Sequence, residues 1–273
     1  MTRLRIGVRL ESLGLPLRKA LAEAARLGVH GVQFDAVADL SPNQLSETGR
    51  REIRNLLRVY NLELTALGCP LRHGLDEAEN QQPRVEHVRK VMSLSYDLGA
   101  GIAIVEAGQV PPPPSPSPAA GGGQGGGQAD RLREALTDLG RHGDRTGSVL
   151  ALETGLESGQ VLAEYLRGFD TGGLGVNLDP ANLLLHGFDP YESVQALGRR
   201  IVHAHAKDAR AGRASRAAQE VPLGHGDIDW MAFVDVLEEL EYRRWIVVER
   251  ESGENRAADV AAGVAFLRRF VGP

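Results

Sequence analysis

The chain carries one cysteine, Cys69, in 273 residues, so no disulfide can form within it and a reducing compartment fits. No stretch approaches the roughly 18 apolar residues of a membrane span. The N-terminal M-T-R-L-R-I-G-V-R-L alternates charged with apolar residues and lacks the continuous apolar core of a signal peptide. Basic residues are not in excess either: 31 Lys and Arg stand against 36 Asp and Glu, for a formal net charge of -5. The arginines are scattered, without the basic stripe of a nucleic-acid binder. These absences predict a soluble, cytoplasmic protein with neither nucleic acid nor membrane as partner. What remains, 42% hydrophobic and 25% charged residues, is ample for one sizeable core.

Strand and helix patterns alternate along the chain. Leu4–Leu10 reads as a first strand, and Pro16 opens a helix to about Leu27 with Ala20, Leu21, Ala24 and Leu27 on one face. Gly31–Asp35 is a second strand. Ser41, with Pro42 behind it, is expected to cap a helix to about Tyr60. Leu62–Cys69 is a third strand, Val85–Leu98 a helix and Gly101–Glu106 a fourth strand. The low-complexity stretch Gly108–Gln128, P-P-P-P-S-P-S-P followed by two triple-glycine runs, blocks regular structure and reads as a flexible surface loop within the fold. A linker between two domains is the rival reading, but the rhythm resumes in phase beyond it. Asp130–Thr146 is helical, Ser148–Glu153 is strand five, Ser158–Phe169 a helix and Leu174–Asp179 strand six. A helix at Pro190–Leu197 leads to strand seven from Ile201, and Asp229 caps a helix to about Leu240. Trp245–Glu249 is strand eight, and Arg256–Phe270 closes the chain as a helix. Eight short apolar strands, each followed by a helix, imply a closed parallel sheet: a single-domain (β/α)8 barrel over residues 1–273. An open doubly wound sheet is the alternative, weakened because no Gly-rich phosphate fingerprint follows strand one.

Chemistry concentrates at the carboxyl ends of the later strands. In I-V-H-A-H-A-K-D, Ile201–Asp208, the two-residue period of a strand puts His203 and His205 on one side. Four consecutive strands end in Glu153, Asp179, His205 and Glu249, the first three 26 residues apart. That interval is about one βα unit, so equivalent positions on adjacent strands converge on one rim. Three carboxylates and an imidazole suit one divalent metal ion of hard or borderline character, Mn, Mg, Co or Zn, and leave coordination positions for a substrate. Each acid alone could cap a helix, and Asp179 before Pro180 could be a turn residue; four in register argue for a metal site.

The runs A-L-E-T-G, N-L-D-P-A-N, H-A-H-A-K-D, P-L-G-H-G-D-I-D-W and V-V-E-R-E resemble the sugar phosphate isomerase/epimerase superfamily, the xylose-isomerase-like TIM barrels. The likeness spans nearly the whole chain outside the Pro/Gly insertion and is strongest from Val149 onward. It implies that Glu153, Asp179, His205 and Glu249 hold one catalytic divalent metal, with Glu153 and Glu249 also serving as acid and base. The implied reaction removes an α-proton through a metal-stabilised enediolate. Two positions depart from the pattern. Asn182 stands where sugar epimerases often carry a histidine three residues beyond the metal aspartate. Gln33 stands where a glutamate is common near the end of strand two.

Other residues have a functional and a structural reading each. Lys207 and Arg210 either bind an anionic group of the substrate or are solvated loop charges; the resemblance favours an arginine near position 210. Glu157 either reaches a substrate hydroxyl or stabilises a helix entry. Glu106 and His73 end strand four and follow strand three, where both could touch substrate. His203 lies one layer below His205 and reads as support or core. Glu251 is the backup for Glu249, and Cys69 lacks the partners of a nucleophile. The expectation is a metal-dependent isomerase or epimerase of a sugar, keto-sugar or related polyol, in carbohydrate metabolism, with a small carbohydrate as partner and a homo-oligomer left open. Its rivals are a dehydratase or lyase on a cyclitol or keto-acid, and a barrel that binds sugar or metal without turnover. An abasic-site endonuclease needs additional histidines that strands two and three do not supply.

Overall fold

Strands of four to six residues made largely of Val, Ile, Leu and Ala have too few polar residues to leave a face to water and must be covered on both sides. In the computed structural model of the chain, which describes residues 4–111, 125–213 and 217–271, the sheet meets that demand by closing. The barrel strands are β1 (Arg5–Arg9), β2 (Gly31–Asp35), β3 (Glu63–Gly68), β4 (Ile102–Val105), β5 (Val149–Glu153), β6 (Leu174–Leu178) and β7 (Ile201–Ala206). After β7 come two short strands, β8 (Asp208–Arg210) and β9 (Gln219–Val221), paired antiparallel outside the barrel. The last barrel strand is β10 (Trp245–Val248), and the closed order is β1-β10-β7-β6-β5-β4-β3-β2. Every pairing in the barrel is parallel; β10 joins β1 with Val248 beside Val8, which closes the ring.

The helices α1 (Leu17–Arg26), α2 (Glu47–Val59), α3 (Gln81–Leu98), α4 (Gly125–Thr146) and α5 (Gly159–Arg167) lie between the early strands. They are followed by α6 (Pro180–Leu185), α7 (Pro190–Leu197), α8 (Trp230–Glu239) and α9 (Arg256–Val271). Their apolar faces and the outward strand residues form the main core, which includes Leu21, Val32, Met92, Leu136, Leu166, Phe233 and Val264. Each such side chain contributes about 1.5–3 kcal/mol when fully buried. Ala66, Ile102, Ile104 and Ala151 make a separate apolar cluster. At the lower end Trp245 reaches across towards β2: a Cβ on Gly31 would lie 2.5 Å from its ring carbons. The Arg5 guanidinium covers that ring at 3.9 Å.

Several sequence expectations are corrected. Ser41 does not start the second helix. It begins a turn, accepting from the Gln44 and Leu45 amides, and the helix starts after Ser46, whose hydroxyl accepts from the Gly49 amide at 3.2 Å. Asp179 is not the last residue of strand six but the cap of α6, a short helix the sequence reading did not include; its carboxylate accepts from the Asn182 amide. The fourth helix starts at Gly125 rather than Asp130, so residues 125–128 of the expected 108–128 loop are helical. Residues 112–124, the bulk of that loop, lie outside the described residues. The β8–β9 ribbon was also missed.

Candidate metal centre

All eight barrel strands deliver a polar residue or a glycine to the carboxyl-terminal rim. Arg9, Asp35, Gly68 and Glu153 end their strands. Glu106, Asp179, Lys207 and Glu249 stand one position beyond theirs. The parallel register turns these into neighbours. One donor atom from each of Glu153, Asp179, His205 and Glu249 lies within 4.8 Å of the others. His205 Nδ1 is 2.9 Å from Glu249 Oε2, 3.5 Å from Glu153 Oε1 and 3.6 Å from Asp179 Oδ2. The four residues chosen from the sequence are therefore brought together.

This cluster fits a divalent cation in three respects. Asp179 is fully buried, and its Oδ2 has no aligned hydrogen-bond donor among the described residues although Lys207 Nζ stands 3.1 Å away. A buried carboxylate oxygen left so is costly unless a cation completes it. The His205 ring is anchored from behind, with Nε2 2.9 Å from Gln33 Oε1. Because an amide oxygen only accepts, Nε2 carries the proton and Nδ1 is the nitrogen turned to the carboxylates. Three oxygens and one imidazole nitrogen are a donor set for Mn, Mg, Co or Zn.

Charges in the cluster hold one another. Burial would lower the Lys207 and His205 pKa values, but the carboxylates outweigh it and both are raised well above their usual ranges. Glu249 moves the other way: burial would raise it, but His205, Lys207 and Arg9 keep it well below the usual carboxylate range. Glu153 is raised, by burial first, against the opposing pull of His205. Arg9 ties the rim together, pairing with Glu249 Oε1, with Asp35 Oδ2 at 2.8 Å and with Glu251 Oε1 at 3.3 Å. Beneath lies a layer of neutral support. His203, kept neutral by burial and by His205, sits 2.8 Å from Asn177 Oδ1 and 3.1 Å from the Thr65 hydroxyl.

A cavity of about 150 Å³ opens beside the cluster, lined in part by Arg9, Gln33, Asp35, Ile104, Glu106, Glu153 and Glu251. Glu106 and Glu153 were expected here. Asn182 lies next to the cluster and donates from Nδ2 to Glu153 Oε1 at 3.1 Å. Lys207 is 2% exposed and bonds Glu251 at 2.8 Å, so it is no solvated loop charge. Three further candidates neither line the cavity nor bond a residue of the cluster. His73 pairs with Glu77 at 2.9 Å, Arg210 donates from Nε to the His225 carbonyl, and Glu157 accepts from the Val110 amide at 3.2 Å. Arg9 and Asp35 were missed in the sequence. The signal was available, since both occupy strand ends equivalent to Glu153, but an isolated Arg or Asp there also reads as a cap. Cys69 lines the cavity, yet burial pushes its thiol up to about 12.

A family model described as xylose isomerase-like TIM barrel matches residues 21–270. A xylose isomerase domain protein from Planctomyces limnophilus superposes with a TM-score of 0.83 at 25% identity, covering 98% of this chain and 99% of that one. The 3-keto-D-glucoside 4-epimerase of E. coli shares the fold at 17% identity, with a TM-score of 0.75 over 98% of this chain and 100% of that one. A probable 3-DHS dehydratase from Bacillus anthracis does so at 18% identity and a TM-score of 0.74, covering 97% and 98%. Among curated proteins, the rhizopine catabolism protein MocC of Rhizobium meliloti is 33% identical over 98 residues, 31% of this chain and 30% of that protein.

Proposed function

This chain belongs to the xylose isomerase-like TIM barrel family, and from that premise we propose that it is a divalent-metal-dependent isomerase or epimerase acting on a sugar, keto-sugar or related polyol. The observation that carries the reading is the convergence of Glu153, Asp179, His205 and Glu249 within 4.8 Å beside a polar cavity. A divalent cation held by these four would supply Lewis-acid polarisation of a carbonyl and its neighbouring hydroxyl. Glu153 is the proton-handling residue that faces the cavity, and Asn182 Nδ2 orients its carboxylate. Glu249 is the second carboxylate of the acid–base pair, kept ionised against its burial by His205, Lys207 and Arg9. An epimerase needs both, one to take a proton and one to return it on the opposite face. Asn182 cannot carry a proton, so its part is hydrogen bonding alone.

Elimination of water after the same proton abstraction would make the protein a dehydratase, the rival reading. Both are tested by incubating the Mn-loaded protein with a panel of ketoses and polyols in D2O. Deuterium entering the carbon next to the carbonyl, lost by at least about a hundredfold in Glu153→Gln, is the expected result. Product analysis then separates an isomer from a dehydrated compound. No exchange into any substrate by a metal-loaded protein would overturn the proposal in favour of a binding barrel.

A further inference from the structure

We infer that the substrate is an uncharged, polyhydroxylated molecule with neither a phosphate nor a carboxylate, a refinement that rests on the proposed sugar chemistry of this site. Six carboxylates, Asp35, Glu106, Glu153, Asp179, Glu249 and Glu251, line the cavity or its metal cluster, and only Arg9 and Lys207 stand among them as permanent cations. With one divalent cation added, the formal balance, counting each carboxylate as ionised and His205 as a neutral ligand, is still negative by two charges.

Both cations are already paired with carboxylates. The Arg9 guanidinium is divided among Asp35, Glu249 and Glu251 through its terminal nitrogens, and its Nε, which makes no hydrogen bond among the described residues, lies 3.8 Å from Glu11. Lys207 Nζ lies 3.1 Å from Asp179, 3.4 Å from Glu249 and 2.8 Å from Glu251. Turning either towards a phosphate would strip a buried carboxylate of its partner, which is strongly destabilising. Arg210, a natural candidate for an anion from the sequence, is held on the β8–β9 ribbon by the His225 carbonyl. What the cavity does present is acceptors. Asp35 is 7% exposed, and its Oδ1 lacks a hydrogen-bond partner among the described residues. Gly68 packs against that oxygen, and a Cβ there would come within 2.0 Å of it, so a side chain at this position would crowd the Asp35 carboxylate on the cavity wall. A buried carboxylate oxygen facing a cavity calls for a hydroxyl donor. A second anion there would meet like charge at low dielectric.

The test compares binding of D-fructose, D-xylulose and xylitol with that of their phosphate esters, by calorimetry on the Mn-loaded protein at low ionic strength. At least one free compound is expected to bind, and its ester at least about tenfold more weakly, roughly 1.4 kcal/mol. The variant Glu106→Gln/Glu251→Gln, altered only at partly or largely exposed acids, is expected to close most of that gap. Esters that bind as tightly as the free compounds, a gap unchanged in the double variant, or no binding by any free compound would each overturn the inference. Binding of free sugar without deuterium exchange would instead defeat the catalytic proposal and leave this one standing.

Discussion

Glu157 shows how a single buried carboxylate makes the fold sensitive to pH. It is 8% exposed and holds the segment after β4 by accepting the Val110 amide; burial pushes its pKa from 4.5 up to about 7 despite that bond. Between those values the folded protein keeps a proton that the unfolded chain has released. Stability therefore falls as pH rises through that window and is level above it, by up to about 3 kcal/mol. Glu157→Gln keeps an acceptor for Val110 and removes the titration. Its melting temperature relative to wild type should rise steadily from pH 4.5 to 7 and then hold; a constant difference across that range would contradict the assignment. None of this is legible in the sequence, where Glu157 follows a strand-end acid by four residues and invites a reading as a substrate ligand.

At the scale of elements, the ribbon of β8 and β9 depends on Asp208. Its Oδ2 accepts from the Gly224 and Gly226 amides and from Trp230 Nε1, at 2.9–3.1 Å. Gly226 must lack a side chain, because a Cβ would lie 1.9 Å from Asp208 Oδ1. The G-H-G-D-I-D-W motif is thus a loop folded onto an aspartate, and it delivers Asp229 to cap α8. Asp208→Ala leaves four donors without their acceptor, the Ala209 amide on Oδ1 included, and should cost about 2–4 kcal/mol. Calorimetric melting, with a red shift of the buried Trp230 fluorescence, measures it; an unchanged melting temperature would contradict this role. Sequence periodicity gave the barrel strands to within a residue or two because their apolar runs are continuous. It missed the ribbon because strands of three residues carry too little pattern and find their partner nine residues away. It misplaced the start of α2 because Ser41 and Ser46 both precede plausible first turns, and only the backbone decides between them.

For the whole molecule, the deciding fact is closure. Glu153, Asp179 and His205 could be found from a 26-residue step, because neighbouring strands of a parallel barrel repeat at about one βα unit. The partners of Arg9, Gln33 and Asp35 could not be found that way, since β1 and β2 come round to the later strands only when the ring closes. Gln33 reaches His205 across 172 positions of sequence, and Arg9 reaches Glu249 across 240. The residues that hold the cluster in place were therefore less legible than the cluster itself. The same closure makes the metal proposal exacting, because three carboxylates, two of them fully buried, converge from three strands with only Arg9, Lys207 and His205 to offset them among the described residues. Metal analysis of protein purified without chelator, wild type beside Glu153→Gln and His205→Ala, tests this most directly. The account predicts about one divalent ion per wild-type chain, weakened or lost in both variants, with melting raised by metal in excess as binding linkage requires. A wild-type protein that holds no ion even after incubation with Mn would contradict it.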